Sequence, residues 1–494
     1  MKRFRRSLFF LLIPPALCYG ATVGAGSHLE VRLHHSLTSY SSKSGTEVRT
    51  TLIAPVHAGG DVLVPQGASL RGTLAGVKRI GWGLRHLRAS MRIRFHTLDL
   101  PDGTSYPVQT RLVSIDNARE TVDPTGKIVG IRATAPMGYR AAGIARNLFC
   151  WDPLLQLVLA GSTATVLNFP EAEIHFPAGT ELRVELTQPL ELDTTWSTPL
   201  PRIATGEESR HSILNQIRAM TWRATTQGSS KPAGIVNLVF LGEPEWAERA
   251  FSAAGWVQAD RLSRAAGWKT FHSFAEARPY PGAPMSPMLL DERPALLQFS
   301  KSLNNYSRRH HLRVFAQPDS WNGRPVLAAA STQDLAITVS FSNRRLIHAI
   351  DRNIDNERAK IVNDLVYTGC VDAAELIHRP WVPSTSRIAT GEDVQTDGAV
   401  AVLELNPCRT PYRTLDSGPP PKISGGRLQR LGRQIFLTLG NDFTANNPVY
   451  QAGKGLQFLF RRMFGKEDRA QPVRASLLPP PSNNYDPNPA VLPD

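Results

Sequence analysis

From residue 28 onward the chain alternates. HLEVRLHHSL sets Leu29, Val31 and Leu33 on one side of an extended segment and charged residues on the other. That is the period of a half-buried strand. Similar short runs recur at TEVRTTLIAPV, GDVLVPQG, ASLRGTLAGV and RASMRIRFHTLDL, with turns such as PQG and PDG between runs. Many short strands at close spacing predict a β-rich barrel or sandwich over residues 21–192. A chain of 494 residues is too long for that unit alone, since domains usually run about 100–200 residues.

Residues 1–20 have a different character. MKRFRR is cationic, SLFFLLIPPAL is apolar, and small residues follow at CYGA. This is the three-part layout of a signal peptide, with cleavage expected near Gly20. The apolar run is shorter than the roughly 20 residues a spanning helix needs. The chain is therefore expected to be exported, periplasmic or membrane-associated. The net charge is +14. For an exported chain such an excess points to envelope proteins, anionic lipid or wall polymer, with peripheral membrane contact, and not to nucleic acid. After cleavage Cys150, Cys370 and Cys408 remain, with no CxxC spacing. An odd count leaves at least one thiol unpaired. An oxidising compartment allows one disulfide, Cys370–Cys408 among the pairings.

Residues 148–169 are strongly apolar but are interrupted by Asp152 and Pro153. They read as a buried or interfacial element, too short to span a bilayer. A polar linker is expected at 193–230, with a helix in SRHSILNQIRAMTWRA. From 231 to 405 the pattern becomes mixed. GIVNLVFLG reads as a buried strand, EPEWAERAFSAAGW and LSRAAGWKTFHSF as helices, and HHLRVFAQ, RPVLAAAST and LAITVSF as strands. A helix then runs through DNERAKIVNDLVYTG, and AVAVLEL reads as a last strand. Without a regular βαβ rhythm this is an α+β unit, and the whole chain is an α+β multidomain protein. The tail at 406–494 is rich in proline and expected to be low in order. Within it, GGRLQRLGRQIFLTLG and GKGLQFLFRRMFGK set apolar residues against cations. Such segments suit an anionic membrane surface or the protein's own surface.

His310, His311, His348, Asp351, Asp355 and Glu357 form the richest set of metal-type ligands. On a strand, His310 and His311 point to opposite faces, and Arg313 shares the face of His311. A divalent metal held by His311, His348 and Asp351, with Asp355 nearby, would activate water. The competing reading makes Asp351 and Asp355 helix caps. Arg278, Arg308, Arg309 and Arg313, with Arg344 and Arg345, are the candidate anion-binding groups, since guanidinium forks suit phosphate. GxSxG, Walker, HExxH and GxGxxG signatures are missing, which sets aside the commonest serine hydrolases, nucleotide enzymes and zinc proteases.

Five ordered motifs carry a family resemblance: AFSAAGWVQAD at 250–260, RPYPGAPMSPM at 278–288, RRHHLRVF at 308–315, GRPVLAAAST at 323–332 and HAIDRNIDNER at 348–358. Through them the stretch of about 231–405 resembles the LssY C-terminal domain family. Where that family has paired histidines before Ile-Asp, this chain has Ala349 in the second place. The resemblance implies an envelope setting linked to type I secretion, and an accessory or binding role without a defined activity. It also leaves room for a metal-dependent hydrolase of a phosphorylated lipid or wall component. VPQGASLRGTL at 64–74 and MRIRFHTLDLPDG at 91–103 resemble the β-barrel of TrbI-type secretion channel proteins, which implies a barrel for the N-terminal half.

Overall fold

The computed structural model describes residues 21–58, 61–149, 152–166, 170–193, 195–196, 200–203, 206–340, 345–408 and 426–445, with 452 and 456. The signal segment, Cys150, Arg344 and most of the tail, including the second amphipathic segment, lie outside them.

The chain is an α+β protein. Its N-terminal strands pair antiparallel in the order 110–115, 181–186, 28–33, 47–52, 69–78, 90–99, 127–129 and 121–122, with 105–107 beside 90–99. The two ends of this path approach each other, so the sheet is a nearly closed barrel. Inward residues fill it, among them Leu29, Val31, Leu33, Leu70, Phe95 and Val184. The alternation seen in the sequence is thus real, but along the strand 28–33 its polar side is not wet. Glu30 and Arg32 on the same strand are also buried, because a second unit covers the outer face of the barrel there.

That second unit is a curled sheet, ordered 257–258, 297–301, 309–321, 324–340, 232–241, 223–226, 288–290 and 293–294. The strand 345–350 pairs with 324–340, 400–405 runs parallel to 232–241, and 371–377 pairs with 400–405. GIVNLVFLG is buried on both faces, as a continuous apolar run should be. Leu238 and Phe240 enter one core and Val239 and Leu241 the other. RPVLAAAST and LAITVSF, expected as two strands, form one strand, Arg324–Ser340. A register irregularity between Asp334 and Ala336 lets the two halves pair with different neighbours. The expected linker holds a helix, α3 (Glu207–Ala219), and the strand Arg223–Thr226, which joins the sheet. Helix α4 (Pro244–Ala253) begins with Pro244 in its first turn and helix α5 (Arg264–Glu276) with a Ser263 cap. In both, the first-turn donors need no helical partner.

Helix α6 (Asp355–Tyr367) lies between barrel and sheet, and every residue from Asn356 to Leu365 is buried. A helix buried all round is usually apolar. This one is not, and its polar groups define the site below. Cys370 and Cys408 are bonded, closing the end where Val371 pairs with Leu405. The apolar segment near 148–169 becomes part of a helical flange: α1 (Met137–Phe149) and α2 (Pro153–Val166), joined by α7 (Arg427–Ala445) from the tail. The first amphipathic tail segment is therefore an ordered helix. Leu437 enters the barrel core and Arg433 pairs with Glu171.

Candidate functional site

The two units meet through charge. Arg32 of the barrel reaches Glu181 at 2.8 Å and Asp364 of α6 at 3.1 Å. Lys301 reaches Glu181 at 2.7 Å, Asp364 at 3.0 Å and the Ala254 carbonyl at 2.9 Å. Lys360, one turn before Asp364, lies 2.8 Å from Glu181 and 2.5 Å from Asp364. Trp256 donates its indole N–H to the same Asp364 oxygen as Lys301. Burial pulls the Glu181 carboxyl upward, but Lys301, Lys360 and Arg32 outweigh it and hold it well below the usual carboxylate range. Burial holds Lys301 below its ordinary value, with Asp364 and Glu181 opposing. These groups are largely buried ionic partners, so each depends on the others.

His310 and His311 do face opposite ways. His310 places Nε2 2.7 Å from Asp116 of the barrel and Nδ1 2.7 Å from Glu357 of α6. Burial opposes its protonation, yet the two carboxylates prevail and raise its pKa to about 9. His311 looks to the other side. Its Nε2 lies 2.5 Å from Asp334 and its Nδ1 3.0 Å from the Met285 sulfur. Burial dominates there, with Asp334 opposing, and lowers its pKa to about 4. At neutral pH, His310 is an imidazolium and His311 a neutral ring, one residue apart.

His348 places Nδ1 3.0 Å from the Asp334 oxygen that His311 also meets. Burial opposes ionisation of Asp334, but the two imidazoles outweigh it and keep it a carboxylate. Asp351 does not join this group. It accepts from the Asn356 side chain at 2.9 Å and the Asn353 N–H at 3.1 Å, shaping the turn into α6. Asp355 is tied to Arg358, Thr396 and the Asp397 N–H. The trio His311, His348 and Asp351 expected as metal ligands is therefore not assembled. Among the described residues, no group of three or more His, Cys, Asp or Glu is arranged to hold a metal ion.

The candidate anion-binding arginines are dispersed. Arg278 pairs with Glu276 at 3.0 Å. Arg308 donates to the Leu335 carbonyl, Arg309 to that of Ala283, and Arg313 to that of Ser286. Three of the four thus clamp main chain. The side chain of Arg345 lies outside the described residues. Sequence reasoning missed Asp334, Glu181, Lys301 and Asp364. The only local signal was the Lys360–Asp364 spacing on a helix, which puts both on one face.

The flange is the second notable surface. α1 packs against α2 and α5, and α2 against α7. Phe149 is 85% exposed, Leu154 76% and Val158 66%, with Ile144, Leu148, Trp268, Phe271 and Leu428 also exposed. Arg140 of α1, Arg264 and Lys269 of α5 and Arg430 of α7 are exposed as well, while α2 carries no charged residue. The acidic residues of these helices are tied inward: Asp442 to Arg146, and Glu276 to His272 and Arg278. No described helix is long and apolar enough to cross a membrane.

No curated protein sequence matches the chain. Among solved structures, ComB10 of the Com type IV secretion system of Helicobacter pylori is similar over 37% of this chain and 93% of its own, at 12% identity and a TM-score of 0.20. Most of the sheet built around His310, His311 and α6 falls within a family match: residues 215–400 of this chain match the LssY C-terminus family model.

Proposed function

We propose that this chain is an exported, accessory assembly protein of the cell envelope that seats its helical flange on an anionic membrane surface. The carrying observation is the composition of that flange. Four packed helices expose leucines, phenylalanines and a tryptophan among arginines and a lysine, while their acids are paired inward. Contiguous apolar surface of this kind marks interaction sites. Apolar side chains buried at the headgroup boundary, flanked by cations, bind anionic bilayers without spanning them. The rigid joint between barrel and LssY C-terminus domain fits a scaffold, because its charged groups are spent on each other.

Flotation of the full chain with vesicles tests this reading. Binding is expected to vesicles containing anionic phospholipid and to fall at high salt. The double substitution Leu154→Glu and Val158→Glu is expected to cut binding at least tenfold without changing the thermal midpoint. Equal flotation of this variant and the parent would defeat the reading.

A further inference from the structure

Between Asp61 and Asp99 the chain has no acidic residue, while its cations there include Lys78, Arg79, Arg85, Arg88, Arg92 and Arg94. The first four lie on or beside the loop 79–89, which joins the barrel strands Ser69–Lys78 and Ser90–Asp99. This loop is held at its base. The Ile80 and Gly81 N–H groups donate to Glu173 at 2.9 and 3.0 Å, and Arg433 of α7 donates to the Gly81 carbonyl at 2.7 Å. Its apolar tip is nevertheless in the open: Leu84 is 79% exposed and Trp82 44%. Trp82 meets the Phe436 ring of α7 edge-on, with centroids 6.3 Å apart. The tip is thus continuous with the flange. Lys78, Arg79, Arg85 and Arg88 stand exposed around it. A lone exposed leucine needs no explanation. A leucine and a tryptophan held out together on a clamped loop, among cations, have the side-chain mix of an anchor at a membrane interface.

We propose that the loop 79–89 is a second membrane contact, which dips Leu84 and Trp82 into an anionic bilayer beside the flange and so stands the barrel on one end. The inference rests on the membrane reading above and adds an orientation to it. The strand Ser90–Asp99 leads from this loop to the turn at 100–104, ten residues and roughly 30 Å along the strand. The barrel therefore turns its 100–104 end away from the bilayer. Charge and apolar surface together select lipid over an acidic soluble partner. The cations meet the headgroups, and the two apolar side chains between them reach the acyl boundary beyond.

The test puts an environment-sensitive fluorophore on the full chain at position 84 or, for reference, at 104. Leu84→Cys and Thr104→Cys supply the thiol, each in a background carrying Cys18→Ser and Cys150→Ser. Both positions are exposed, and circular dichroism checks that each variant folds. Vesicles with anionic phospholipid are expected to shift the emission from position 84 to the blue and brighten it at least twofold. They should leave position 104 unchanged, and zwitterionic vesicles should change neither. Arg79→Glu with Arg85→Glu is expected to cut the response at 84 at least fivefold, because each cation near the surface contributes. A chain that floats with the vesicles while its position-84 emission stays as in buffer overturns this inference and leaves the flange reading standing. Equal responses at 84 and 104 overturn the orientation, and an undiminished response in the charge-reversed variant overturns the anionic surface. A chain that does not float at all overturns both readings.

Discussion

His310 Nε2 meets Asp116 of the barrel at 2.7 Å, and Nδ1 of the same ring meets Glu357 at 2.7 Å. The imidazolium is thus an ionic rivet between barrel and α6. Its pKa is raised from 6.5 to about 9, so its stabilising contribution is complete below pH 6.5 and is lost as pH climbs through 9. His311 behaves oppositely. Its pKa is lowered from 6.5 to about 4, so its contribution is complete above pH 6.5 and is lost as pH falls towards 4. Urea unfolding across pH 4–9 is expected to give greatest stability near pH 6.5, with each limb reaching roughly 3 kcal/mol. His310→Gln should flatten the alkaline limb alone. An alkaline limb that survives in that variant would assign it to another group.

Lys360 offers a sharper test of the joint. Its ammonium lies between Glu181 and Asp364, so Lys360→Met leaves two buried carboxylates with fewer cations. Breaking such a pair from one side costs about 3–5 kcal/mol. Combining Lys360→Met with Asp364→Leu removes an opposite pair, and part of the lost stability should return. Chemical denaturation of the parent, the two singles and the double completes the cycle. Strict additivity would show that the pair is not coupled.

The opposite faces of His310 and His311 followed from the two-residue period of a strand, and the buried run around Leu238 from its nearly unbroken apolar sequence. What the local pattern hid was the environment of the polar faces. Glu30 and Arg32 alternate with leucine and valine as any wet strand would, and nothing within ten residues says that a second unit covers them. Asp334 was missed because its relation to His311 is set by pairing between separate strands and by the register irregularity beside it. Asp351 looked like a ligand because it is close to His348 in sequence. The turn into α6 instead commits both its oxygens to Asn353 and Asn356. Helix α6 also misleads when read alone: its polar residues suggest an exposed face, and their partners lie on other strands.

The Cys370–Cys408 bond closes a loop with a sequence separation of 38. It staples the start of the 371–377 strand to the end of 400–405. By loop-closure entropy such a bridge stabilises by about 4 kcal/mol. Reduction, or the paired substitution of both cysteines by serine, should lower the unfolding midpoint in urea without changing the fold by circular dichroism. An unchanged midpoint after complete reduction would remove the bridge from the stability of this unit.

Gly72 and Gly76 share one barrel strand, Ser69–Lys78, yet they should tolerate a side chain very differently. At Gly72 a Cβ would meet the Arg94 carbonyl oxygen and lie 2.7 Å from the Phe95 Cα. This is where the pairing with Ser90–Asp99 shifts register. Both neighbours are backbone, so neither can swing aside, and the strands themselves would have to separate. A close approach of this kind is a common reason for glycine inside a strand. Gly72→Ala is therefore expected to destabilise the barrel by about 1–3 kcal/mol, as overpacking does. At Gly76 a Cβ would meet nothing within 4 Å. There Gly76→Ala should be neutral or stabilise by up to about 1 kcal/mol, by reducing the freedom of the unfolded chain. Equal losses at both positions in urea unfolding would mean that local strand propensity, and not the approach of Arg94 and Phe95, sets the requirement for glycine.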